Sequence, residues 1–262
     1  MNPVIVRKVK IGEGMPKICV PVVGVTRDEI FAQAENIAEL SVDIVEWRGD
    51  WFKDITEQQQ VREILSGLRK ILKETPLLFT FRTLQEGGER ELDVHSYELL
   101  NRFVIETGYA DMIDVELFIE TKKMAAVKDG VITNLIREAH AHGVKVVASN
   151  HDFMKTPSKD VIIKRLCVMQ EAGADIAKIA VMPQNKEDVL TLLQATEEMC
   201  RIHGKTPVIT MSMSGYGLIS RLCGEVFGSA VTFGSAGQAS APGQMDAAEL
   251  RNILNTIHRN LL

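Results

Sequence analysis

The sequence predicts a (β/α)8 barrel, and three observations carry that prediction. Short apolar runs of strand length recur along the chain, and each is followed by a stretch with helical periodicity. Eight such pairs fit into about 250 residues, the usual span of a closed parallel barrel wrapped by helices. The rival, a doubly wound open sheet, usually has fewer strands and a Gly-rich first turn, which is absent here. No low-complexity linker or sequence repeat divides the 262 residues, so the expectation is one barrel domain over 1–262, with a strand segment ahead of the barrel.

In order, Val4 to Ile11 is that leading segment, and Lys17 to Val23 is the first barrel strand. Thr26-Arg-Asp-Glu29 reads as a capping box opening a helix to about Leu40. Asp43 to Arg48 is a strand and Thr56 to Lys73 a helix; Pro76 to Phe81 is a strand and Ser96 to Thr107 a helix. Asp111 to Leu117 is the fourth strand, with a mostly helical segment from Lys122 to His142. Val144 to Ser149 is the fifth, and Thr156-Pro157 reads as the cap and first position of the next helix. The sixth strand lies in Ala174 to Pro183, with a helix from Lys186 to His203. Pro207 to Met211 and Ala230 to Phe233 are the last two strands, separated by a short helix over Ser220 to Phe227. A helix from Asp246 to Leu261 closes the pattern.

Composition narrows the class. A hydrophobic content of 45% and a charged content of 25% are ordinary for a globular protein. The net charge of −5, with no basic stripe, argues against a nucleic-acid partner. The four cysteines keep no metal-ligand spacing and read as small buried hydrophobes of a reducing compartment. No apolar run reaches membrane-spanning length and the first residues lack a signal-peptide core, so a cytoplasmic enzyme without membrane partners is expected.

The sixth strand holds an unusual residue. Alternation places Ile176, Lys178 and Ala180 on one face and Ala177, Ile179 and Val181 on the other. An ammonium among such neighbours is costly unless it is paired, and desolvation favours the neutral amine, a nucleophile toward carbonyls. The plainer alternative is a lysine ion-paired for packing. Catalytic groups of barrels come from the carboxyl ends of strands and the following loops. Those ends carry Glu46 and Arg48, Arg82 with Glu86, Asp114 and Glu116, His151 just past the fifth strand, Arg221, and Ser240 to Gln244. Singly, each has a bland reading as a rim ion pair or surface charge. Jointly, they fit imine chemistry: a lysine captures a ketone, a histidine moves protons near neutrality, and arginine holds a carboxylate. Cations alternate with the acidic groups, unlike a metal-binding set, and no P-loop or dinucleotide fingerprint appears, so neither metal nor cofactor is expected. A Schiff-base aldolase, with phosphate at Ser235 to Gln238, and a silent ligand-sensing barrel remain as other readings.

The segments Glu46-Trp-Arg48, Phe81-Arg-Thr with Glu86-Gly-Gly, Ser149-Asn-His-Asp-Phe153, Ala174-Asp-Ile-Ala-Lys178, Ile219-Ser-Arg-Leu-Cys-Gly-Glu and Ser240-Ala-Pro-Gly-Gln244 run nearly the full length of the chain. In this order they resemble type I 3-dehydroquinate dehydratase, the Schiff-base dehydratase of the shikimate pathway. The resemblance implies a homodimeric barrel that takes 3-dehydroquinate to 3-dehydroshikimate and water. It implies Lys178 as the imine-forming residue, His151 as acid and base, and Glu86 as the partner that orients His151. It assigns Glu46, Arg48 and Arg82 to the ring hydroxyls, and Arg221, Ser240 and Gln244 to the carboxylate. Pro21 stands where some relatives carry a substrate-touching serine, and Ser214 to Gly217 where relatives often have a lysine; no role is assigned at either. The small-residue run Gly234 to Gly243 is expected to close over substrate as a lid.

Overall fold

A computed structural model describes residues 2–120, 130–237 and 241–261. Eight parallel strands run in one sheet: β3 (Lys17–Val22), β4 (Ile44–Arg48), β5 (Leu77–Thr80), β6 (Met112–Glu116), β7 (Lys145–Asp152), β8 (Ile176–Val181), β9 (Val208–Ser212) and β10 (Val231–Phe233). β10 pairs back onto β3, and the Ala230 amide donating to the Val208 carbonyl at 2.8 Å brings β9 and β10 together, so the sheet curls into a (β/α)8 barrel. Helices α1 (Arg27–Ala38), α2 (Gln58–Leu72), α3 (Val94–Thr107), α4 (Val131–Ala141), α5 (Lys159–Glu171), α6 (Lys186–Glu198), α7 (Leu218–Leu222), α8 (Gly224–Phe227) and α9 (Ala247–Leu261) lie between and after the strands.

The helices form for local reasons. Thr26 Oγ1 accepts the Glu29 amide while Glu29 Oε2 accepts the Thr26 amide, closing the predicted capping box of α1. In α2 the buried residues Val61, Ile64, Leu65, Leu68 and Leu72 recur at three and four, one stripe facing the sheet. That stripe meets outward-facing Val45, Trp47 and Phe79; the Trp47 and Phe79 rings sit edge to face, with centroids 5.3 Å apart. Truncating such a buried leucine to alanine costs about 2–5 kcal/mol.

The opposite faces of the strands fill the barrel, and there the composition changes along the axis. On four strands the inward residues start apolar and turn polar: Ile44 then Glu46 and Arg48, Met112 then Asp114 and Glu116, Val147 then Ser149 and His151, Ile176 then Lys178; on β9 and β10 they stay apolar through Met211 and Phe233. The apolar floor at the amino end includes Cys19, Leu78, Ile209 and Val231, together with Val6 and Ile11. Those two belong to β1 (Val4–Val6) and β2 (Val9–Ile11), an antiparallel hairpin that turns at Arg7, φ 53°. The predicted single leading segment is therefore two strands, and it covers the end of the barrel opposite the charged rim.

Three expectations are corrected. His151 lies inside β7, because parallel pairing with β8 continues to Asp152 opposite Val181 and overrides the polarity of Asn-His-Asp. Thr156 does not cap α5: its hydroxyl donates to the Met182 carbonyl, and Ser158 takes the cap position. The helix predicted to His203 is regular only to Glu198, then widens into a π turn over Met199–His203. The first part of the predicted Lys122 to His142 helix, 122–129, lies outside the described residues.

Candidate active site

The polar layers open at the carboxyl end into a cavity lined by Glu46, Arg48, Arg82, Glu86, His151, Lys178, Phe233, Gln244 and their neighbours. Eight of the nine residues predicted for the site can be followed: seven of those eight line this cavity. Ser240 lies outside the described residues, as does the middle of the predicted lid, 238–240.

Lys178 is 4% exposed and points into the barrel. Its Nζ donates to Asp114 Oδ2 at 3.0 Å, lies 3.8 Å from Glu46 Oε1, and sits 4.7 Å from the centre of the Phe233 ring. The plainer alternative, a paired lysine, is thus partly realised, yet Asp114 is itself shared. Arg82 Nη2 donates to its Oδ1 at 2.8 Å and Ser149 Oγ to the same oxygen at 2.6 Å. Burial alone would push the Asp114 carboxyl up; Arg82 and Lys178 outweigh it and hold Asp114 at about 2. Glu46 is held in place by the Thr80 hydroxyl, which donates to Oε1 at 2.8 Å.

Arg82 is the hub of this wall. Besides Asp114, its guanidinium donates to Glu116 Oε1 at 3.0 Å and to Ser149 Oγ at 2.9 Å, and it lies 3.6 Å from Glu86 Oε2. Burial works against its charge, but the three carboxylates Asp114, Glu116 and Glu86 prevail and raise its pKa. Arg48 is held by both oxygens of Asp50, at 2.8 and 2.7 Å. Asp50, fully buried, also accepts the Arg82 amide and so ties β4 to the loop after β5.

Glu86 follows β5 in a single 3-10 turn ended by Gly87 at φ 82°. A side chain at Gly87 would be strained there and would strike Phe153, whose ring stacks near His151 with centroids 6.5 Å apart. Glu86 Oε2 accepts the His151 amide and pairs with His151 Nδ1, each at 2.9 Å. Burial and the neighbouring Glu116 push Glu86 up to about 8, against Arg82, Asn150 and the His151 amide. Burial and the cations Arg82, Lys178 and Arg48 depress His151 well below its ordinary value. Both shifts act across one hydrogen bond, so the titration belongs to the pair. With a proton on Glu86 the ring is left with hydrogen on Nε2; with Glu86 as a carboxylate, Glu86 accepts Nδ1–H and Nε2 keeps a free lone pair.

Arg221, on α7, is the exception among the predicted cations. It is 2% exposed, yet no carboxylate pairs with it among the described residues. One nitrogen donates to the Pro242 carbonyl at 2.9 Å, another lies 3.8 Å from Met211 Sδ, and Nε has no partner among the described residues. Burial alone depresses it to about 10. It stands behind Met211 and beside the loop that carries Ala241 and Gln244 into the cavity. A buried guanidinium left without a counter-ion is a receptor for an anion.

Sequence reasoning passed over Asp50, Thr80, Ser149 and Asn150. Asp50 had a signal, standing two residues beyond Arg48; the hydroxyls of Thr80 and Ser149 had only the inward phase of their strands.

A barrel whose carboxyl end carries a buried lysine, a histidine–carboxylate pair and an arginine with no acidic partner among the described residues defines a barrel enzyme acting on a small anionic molecule. The family model for type I 3-dehydroquinase matches residues 18–261. A 3-dehydroquinate dehydratase of Syntrophotalea carbinolica is 52% identical over 98% of this chain and 99% of its own length. The type I 3-dehydroquinate dehydratase of Clostridium difficile, solved with covalent modified comenic acid, superposes with a TM-score of 0.93 at 49% identity, covering 99% of this chain and 100% of that one. The 3-dehydroquinate dehydratase of Geobacillus kaustophilus superposes at 0.92 with 39% identity, covering 99% of each chain. The chain belongs to the type I 3-dehydroquinase family.

Proposed function

We propose that this enzyme dehydrates 3-dehydroquinate to 3-dehydroshikimate through an imine on Lys178, with His151 as the proton carrier. The observation that carries the reading is Lys178 Nζ, buried between Asp114 and Glu46, opening into the same cavity as His151. The amine adds to the C3 ketone, and loss of water gives a cationic imine. Asp114 and Glu46, already placed around Nζ, stabilise that cation as it forms. The imine acidifies C2–H; His151 Nε2 takes the proton, giving an enamine that expels the C1 hydroxyl as His151 returns the proton. Hydrolysis of the imine frees the product and the amine. Arg221, with Ser240 and Gln244, takes the substrate carboxylate, while Glu46 and Arg48 face the ring hydroxyls. Arg82, its donors engaged by Asp114, Glu116 and Ser149, acts on the ring from the wall. Covalent modified comenic acid on the Clostridium difficile relative supports a covalent route.

The test adds 3-dehydroquinate and follows the ultraviolet absorbance of the conjugated enone product. Turnover by the native protein is expected. No enone from 3-dehydroquinate, with turnover of a sugar phosphate instead, would replace this reading with an aldolase. The same reading extends to a homodimer in the cytoplasm, supported by family membership; light scattering at micromolar concentration tests the dimer. No helix among the described residues is long and apolar enough to cross a membrane.

A further inference from the structure

Between two residues that face the barrel interior, Ser149 and His151, strand β7 turns Asn150 the other way, toward helix α5. Its amide is engaged at both ends. Arg165, half-buried on α5, donates Nη1 to Asn150 Oδ1 at 2.9 Å, and Asn150 Nδ2 donates to Glu86 Oε1 at 2.9 Å. A guanidinium can only donate, so the amide oxygen is committed to Arg165 and the NH2 group to Glu86. Oε1 of Glu86 is thereby an acceptor, and Oε2 accepts the His151 amide at 2.9 Å. Donors from two sides thus favour the carboxylate, and the remaining contact, to Nδ1 at 2.9 Å, is left for the ring N–H.

We propose that Arg165 and Asn150 are positioning residues for the dehydration: through Glu86 they hold His151 in the tautomer whose Nε2 lone pair faces the cavity. The inference rests on His151 being the proton carrier. Its electrical setting is crowded. Glu86 is faced by Arg82 from the loop after β5, Glu116 from β6, and Asn150 and His151 from β7; His151 also feels Arg48 from β4 and Lys178 from β8. Burial and Glu116 favour a proton on Glu86, and the Asn150 amide is one of the few groups opposing it. Without that amide, Glu86 keeps its proton to higher pH and donates it to Nδ1, which leaves hydrogen on Nε2 and no base. Arg165 matters because it stops the amide from flipping and presenting its oxygen to Glu86.

The experiment uses full-length protein with 15N-labelled histidine, following the His151 ring nitrogens between pH 6 and 10 in native protein and in Arg165→Met, Asn150→Leu and Arg165→Lys. In Arg165→Met and Asn150→Leu the midpoint at which Nε2 loses hydrogen should rise by about one pH unit, with kcat/KM at pH 7.5 falling about tenfold. Arg165→Lys, which keeps a cationic donor, should recover most of both. Unchanged midpoints in variants with native circular dichroism would overturn the proposal; so would a lysine variant as impaired as the methionine one. The nitrogen shifts need no turnover. A protein that leaves 3-dehydroquinate untouched sinks the proposed function, while one that turns over with unmoved midpoints sinks only the positioning role.

Discussion

The site has two unlike halves. From β4 to β8, every buried cation meets carboxylate: Lys178 with Asp114 and Glu46, Arg82 with Asp114 and Glu116, Arg48 with Asp50. Beyond β9, Arg221 is as deeply buried and meets a carbonyl, a sulfur and no acid among the described residues. The first half is neutralised before substrate arrives, so its charges fix positions. The second half is left unbalanced, so its charge is available to whatever anion enters. Under the proposed function, the first arc would supply the catalytic geometry and the contacts to the ring, and the second the site for the carboxylate.

The largest expected effect falls in the balanced half. His151→Ala should lower kcat by about 10² to 10⁴-fold in the enone assay, the usual range for losing a general acid and base, while imine formation survives. Near-normal kcat would remove His151 from the reaction.

The comparison itself is broken or kept by one pair of substitutions whose stability effects should have opposite signs. Arg82→Met leaves Asp114 and Glu116 as buried charges and should destabilise the fold by about 3 kcal/mol in urea titration. Arg221→Met removes a buried cation that has no acidic partner among the described residues and should stabilise the free protein by about 1 kcal/mol. The same Arg221 variant should raise KM about 30-fold, the loss of a charge-assisted bond of about 2 kcal/mol. Equal destabilisation by both variants would erase the distinction between the halves.

A smaller effect tests the Glu86–His151 pair through pH. Glu86, raised from 4.5 to about 8, makes the folded state bind a proton that the unfolded state has already lost, so its contribution falls as pH rises toward 8. His151, depressed below 6.5, acts with the opposite sign, and only below 6.5, where the unfolded histidine charges. The two oppose each other between 4.5 and 6.5, and Glu86 acts alone from 6.5 to 8. Native protein should therefore lose about 2 kcal/mol across that window, and Glu86→Gln should lose much less. Urea midpoints at the two pH values measure it, and parallel losses in both proteins would contradict the assignment.

Most of the barrel was legible because apolar runs of strand length and the helical stripes of α2 and α9 are local signals. What was not legible depended on partners distant in sequence. Asn150, His151 and Asp152 look like residues past the end of a strand, and only pairing with Ile179, Ala180 and Val181 keeps them in one. Thr156 has the chemistry of a cap but is drawn away by Met182. Lys178 stood out as a charge in the middle of an apolar run, and Glu46 and Arg82 as charges at the ends of others. Nothing local marked Asn150, because its meaning comes from Arg165 on one side and Glu86 on the other. That Arg221 meets no acid among the described residues is likewise a property of the fold.

The central claim is that Lys178 captures the substrate ketone, and borohydride reduction followed by mass spectrometry tests it most directly. Native protein treated with 3-dehydroquinate and borohydride should gain the mass of one reduced adduct, mapped by peptide digestion to Lys178, and Lys178→Ala should gain none. An unmodified native protein that still turns over, or an adduct retained by the alanine variant, would contradict the account.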